Sequence, residues 1–110
     1  MSSFGIVGDG LYVYQFPEFV KDSVTRESQC QKIIEEANEH KVEVELGNTF
    51  ASLVELIDTL HAAETSLRAG FKDGTYTDEM FKRAKLYALL RNARRGYYNK
   101  QTCNEIGYVS

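Results

Sequence analysis

A single proline and eight scattered glycines leave this 110-residue chain with no low-complexity stretch. No internal repeat of solenoid period runs through it either. Only two cysteines are present, Cys30 and Cys103, and nothing in the sequence asks for a disulfide between them. In a reducing compartment both read as free thiols acting as small apolar groups. Together with His40 and His61 they lack the close paired spacing of zinc ligands, so no metal site is expected. No apolar run approaches the roughly 20 residues of a membrane span, and no membrane association is expected. The opening MSSFGIVGDGLYVY has neither a basic stretch nor a long apolar one, which argues against a signal peptide and for a cytoplasmic protein. Gly5-Ile6-Val7-Gly8-Asp9-Gly10 reverses the order of the dinucleotide fingerprint and leads into an extended segment, not a helix. No cofactor is expected, and no pair of residues stands out as catalytic.

What the chain does have is a charge split along its length. Residues 1–64 carry twelve acidic and four basic side chains, a net of −8, and residues 65–110 carry four acidic and nine basic, a net of +5. The overall −3 hides this dipole. A basic half favours an anionic ligand, an acidic partner, or the acidic half of a second copy. With 43% hydrophobic and 26% charged residues, the composition is that of one globular domain over residues 1–110.

The pattern predicts an α+β fold, with an N-terminal β-hairpin and a short additional strand against three helices. The hairpin pairs Phe4–Val7 with Leu11–Phe16 across the Asp9-Gly10 turn. Helix one begins at Asp22 or Ser23 and runs to about His40. Val42, Val44 and Leu46 alternate with Glu43 and Glu45 as in a half-buried strand. Helix two spans about Phe50–Ala69, with Asn48 or Thr49 as cap and Gly70 past its end. Thr77 caps helix three, and Gly96 ends it after Arg94 and Arg95. A short helical turn precedes Gly107. An all-α domain with an extended N-terminal arm is the alternative.

Two constellations can carry chemistry. On helix three, Arg83, Tyr87, Arg91 and Arg94 lie along one strip, bordered by Arg95 and followed by Tyr97, Tyr98 and Lys100. Planar cations alternating with aromatic rings suit phosphate contact and base stacking. The competing reading buries Tyr87 in the core with the arginines snorkelling along it. Helix three is also apolar on two sides, with Leu86, Leu89, Leu90 and Ala93 opposite Met80, Phe81, Ala84 and Ala88. Such a helix is sandwiched between two layers, which points to a homo-oligomer or an obligate protein partner. On helix two, His61, Glu64 and Arg68 interrupt the apolar arc of Phe50, Leu53, Val54, Leu56, Ile57, Leu60 and Leu67. These three either line a pocket or form a solvated ion pair. Glu35, Glu36, Glu39, Glu43 and Glu45 form an acidic face, either solvated or a docking patch for a basic surface.

Residues 96–110, GYYNKQTCNEIGYVS, resemble the opening helix and turn of a helix-turn-helix unit. The matching recognition helix would begin beyond Ser110, and no DNA-binding role is carried over from the resemblance. The expected function is a small non-enzymatic binding protein that engages a nucleotide or nucleic acid through helix three and the tail. The alternative is a protein-interaction module, an inhibitor or adaptor of virus-encoded or accessory type, that blocks or bridges a partner protein.

Overall fold

The computed structural model describes residues 12–20 and 24–109, which hold four α-helices and no strand. These are α1 (Arg26–Leu46), α2 (Thr49–Lys72), α3 (Asp78–Arg94) and α4 (Lys100–Glu105). The fold is therefore all-α, and the expected α+β class is overturned.

Both parts of that expectation fail for identifiable reasons. The alternating segment 42–46 is the end of α1 and not a separate strand. Gly47 adopts the left-handed conformation at φ 76°, and the N–H of Asn48 reaches back 3.0 Å to the Glu43 carbonyl. This glycine C-cap satisfies the last helical carbonyls, and it extends the helix six residues beyond His40 against the β-preference of two valines. The first strand and turn of the expected hairpin lie outside the described residues. In its second strand, the N–H groups of Gln15 and Phe16 are taken by the Glu64 side chain on α2. A carboxylate thus replaces the ladder partner, and residues 12–20 run without helix or strand.

The helix starts follow local capping chemistry. Thr25 caps α1 in a reciprocal box with Ser28, each side chain accepting the other's backbone N–H at 3.0 Å. The anticipated caps Asp22 and Ser23 lie outside the described residues. At α2 the expected cap fails: Thr49 is already helical, and the Asn48 side chain donates to Glu43 at 3.0 Å instead of accepting from the first turn. The helix continues through Gly70 to Lys72, three residues past the expected end. Thr77 caps α3 by accepting from Met80, with Asp78 and Glu79 at the positive helix pole. Asn99 caps α4, the short turn expected before Gly107.

The chain divides into two compact units. One contains residues 13–75, with the arm, α1 and α2. The other contains residue 76 onward together with Tyr12. In the first, the Gly47-Asn48 link folds α2 back along α1, and His40 Nδ1 donates to the Ser52 carbonyl at 2.7 Å. The buried positions of this pair are small or polar: Gln29 and Glu36 on α1, and Ala62, Glu64, Thr65 and Gly70 on α2. Thr59 and Thr65 return their hydroxyls to carbonyls four residues back, which satisfies them inside the seam. In the second unit Ala93 and Ile106 are buried, and Asn92 donates to the Tyr98 hydroxyl at 3.3 Å. Tyr12 meets Phe81 edge to face at 6.0 Å between centroids.

Candidate functional site

The apolar stripe of α2 is used in an inverted way. Phe50, at its start, is 78% exposed, whereas Glu64, four turns on, is 3% exposed. The cause is the arm. Glu64 accepts the Gln15 N–H at 2.7 Å through Oε2 and the Phe16 N–H at 2.9 Å through Oε1. Arg68 lies 3.6 Å from Glu64 and donates to the Phe16 carbonyl at 2.8 Å, while its guanidinium sits 3.9 Å over the Tyr14 ring. Phe16 and Phe19 both stack on the His61 imidazole, at 4.7 and 4.6 Å between centroids, so they must take opposite faces of it. His61 Nε2 donates to the Pro17 carbonyl at 3.2 Å. The three ionisable residues expected to form a pocket or an ion pair thus grip an extended segment of their own chain. Lys72 adds a 2.8 Å ion pair with Glu18 at the rim.

A second cluster crosses from α1 to α2. Carboxylate oxygens of Glu36, Glu39 and Glu55 lie within 4.8 Å of one another, the one grouping among the described residues with ligand spacing for a cation. Lys32 neutralises Glu36 from 3.0 Å, which holds the Glu36 carboxyl below its ordinary range. Glu55 responds oppositely. Hydrogen bonding with Glu39 and Glu36, burial and repulsion push it up from 4.5 to about 7. The linkage sign follows from that direction. The folded chain binds a proton more tightly than the unfolded one, so this contribution to stability is full below pH 4.5 and lost as pH rises through about 7. The Glu36 contribution has the opposite sign and is lost only on acidification below 4.5. The melting temperature should therefore fall as pH is raised from about 5 to about 8, and Glu55→Gln should flatten that slope. A slope that Glu55→Gln leaves unchanged would rule out the raised Glu55 carboxyl.

The third site lies in the other unit. An open cleft of about 500 Å³ is lined by Tyr87, Leu90, Arg91 and Arg94 of α3 and by Gly107, Tyr108 and Val109 of the tail. Gly107, at φ 80°, permits the left-handed turn that ends α4 and leads into Tyr108. Arg91 approaches the Tyr87 ring at 6.0 Å. Its Nε is buried and has no hydrogen-bond partner among the described residues. Among the described residues no carboxylate lies within ion-pair distance of Arg91 or Arg94. Tyr87 is 67% exposed, which places the ring at the surface and leaves its face available for stacking.

Of the eight residues expected on this basic surface, Tyr87, Arg91 and Arg94 come together in the cleft. Arg83, Arg95, Tyr97 and Lys100 are exposed outside its lining, and Tyr98 is held half-buried by Asn92. Tyr108 was not anticipated from the sequence. Its only signal there is the Gly107 that precedes it. No protein-family model, curated protein or solved structure matches the chain.

Proposed function

We propose that the protein is a non-enzymatic binding protein, and that the cleft formed by α3 and the tail holds a nucleotide. The observation that carries this reading is a concavity that brings Arg91 and Arg94, neither with an ion-pair partner among the described residues, together with two tyrosines. Guanidinium groups without a carboxylate partner favour an anionic oxygen, to which they donate strong charge-assisted hydrogen bonds. Two guanidinium groups suit a phosphate, and the exposed Tyr87 and the half-buried Tyr108 suit a planar base. The cleft volume falls in the range of small-ligand sites, roughly 300–1,000 Å³. Among the described residues its lining offers no carboxylate, histidine or thiol to move a proton at neutral pH, which favours binding over turnover.

The test is titration with inorganic phosphate, nucleoside mono- and triphosphates and a short oligonucleotide, each at several salt concentrations. A nucleotide should bind one to one, raise the melting temperature and beat inorganic phosphate by at least about fivefold through stacking worth about 1–3 kcal/mol. Its affinity should fall shallowly with salt. A steep salt slope with the oligonucleotide alone would transfer the role to nucleic acid, using Arg83, Arg95 and Lys100 beyond the cleft. No binding of any of these at millimolar concentration would remove the anion-binding reading.

A further inference from the structure

We infer that the open half of the α2 stripe is a self-association surface that pairs with the same stripe of a second copy. On α2, Phe50, Ile57 and Glu64 recur every seven residues, and so do Leu53, Leu60 and Leu67. Over its last turns the arm covers this stripe through His61, Glu64 and Arg68. Over the first turns, Phe50, Leu53, Val54, Leu56, Ile57 and Leu60 are all 40% exposed or more. At ~200 Å² for a fully exposed side chain of this size, they present on the order of 600 Å² of apolar surface. That is at the upper limit of what an isolated monomer usually shows in one patch, about 300–600 Å². Two such stripes bury about 1,200 Å² in total, the lower bound of a specific interface.

A second copy is the occupant that this surface fits. A two-fold interface sets each patch against itself, so it must be free of like charges. Between Thr49 and Ala63 the only charged side chains are Glu55 and Asp58. Glu55 belongs to the carboxylate cluster with α1, and Asp58 borders a recess with Lys32 of α1. The seven-residue recurrence of apolar positions is the spacing by which two helices interlock side by side. A lipid surface fits less well, because residues 42–63 contain no lysine or arginine to meet anionic headgroups.

Sedimentation of the full chain from about 5 to about 200 µM tests the inference. The mass should rise from 12.5 kDa towards twice that value. Raising the salt from about 0.05 to about 0.5 M should leave the association intact, since an apolar interface is not screened. Ile57→Asp and Leu60→Asp, at exposed positions, should each weaken association at least 100-fold while preserving helical content and melting temperature. An Arg91→Glu/Arg94→Glu chain should associate like the wild type, which separates this surface from the proposed cleft. A monomer at 200 µM, dimers indifferent to both aspartates, or association abolished by salt would each overturn the inference, the last in favour of acidic-to-basic docking between copies.

Discussion

A Glu64→Gln variant should melt on the order of 10 °C below the wild type, with most of the loss arising where the arm meets α2. The side chain keeps its size, so no cavity forms. Both carboxylate oxygens are used, however, one on the Gln15 N–H and one on the Phe16 N–H. An amide has one acceptor and must set its NH2 against the other donor. Arg68 also loses the charge 3.6 Å away while remaining only 21% exposed. Removing one partner of a buried pair costs about 3–5 kcal/mol, and partial access of water to Arg68 argues for the lower end. Hydrogen exchange localises the effect. The Gln15 and Phe16 amides should be protected in the wild type and exchange at least 100-fold faster in the variant, because Glu64 is their acceptor among the described residues. Unchanged exchange at these two amides, with an unchanged melting temperature, would mean that the arm is held without Glu64, by its ring contacts and by Arg68, His61 and Lys72.

Reversing charge at Arg91 and Arg94 together should abolish nucleotide binding with little effect on folding. Each charge-assisted hydrogen bond to phosphate is worth about 1.5–3 kcal/mol, so losing two weakens binding by roughly 10²–10⁴-fold before repulsion is added. Stability should change by only about 1 kcal/mol, through less favourable charge at the C-terminal end of α3. Neither arginine has an ion-pair partner among the described residues, and the Arg91 Nε contributes no hydrogen bond to lose. Calorimetric titration with a nucleoside triphosphate, alongside thermal unfolding of the double variant, reads both quantities. An unfolded variant would make these arginines structural. A folded variant that binds normally would place the anion elsewhere.

The acid-to-base contrast between these two sites follows the charge split of the chain. The acidic stretch supplies Glu64, which grips backbone N–H groups, and the Glu36, Glu39 and Glu55 cluster. The basic stretch supplies the guanidinium groups of the cleft, which have no ion-pair partner among the described residues.

Much of the local structure was legible in the sequence because caps and periodicity act over a few residues. Thr77 with its acidic neighbours starts α3, and Arg91 and Arg94, one turn apart on α3, line the same cleft with Tyr87. The same locality explains the main failure. Alternation in Val42–Leu46 is a two-residue signal for a strand, but a strand needs a partner, and helix continuation needed only the Gly47 cap. Gly70 shows the reverse error, a helix-stop signal that is overridden where the glycine lies buried in α2.

Burial was decided only by tertiary structure. The α2 sequence marks Phe50 as core and Glu64 as an intruder, yet Phe50 is exposed and Glu64 is buried. The contact that inverts them joins Gln15 to Glu64 across 49 positions of chain, and no window of local pattern spans that distance. The same holds for Tyr108, which joins Arg91 and Arg94 only because the left-handed Gly107 turns the tail toward α3. Local pattern in the chain was enough to say which residues share a helix face and where each sign of charge collects. The start of α1, by contrast, fell to Thr25 and not to Asp22 or Ser23. Which faces are covered, and by what, rests on long-range pairing of groups whose partners cannot be inferred from their neighbours.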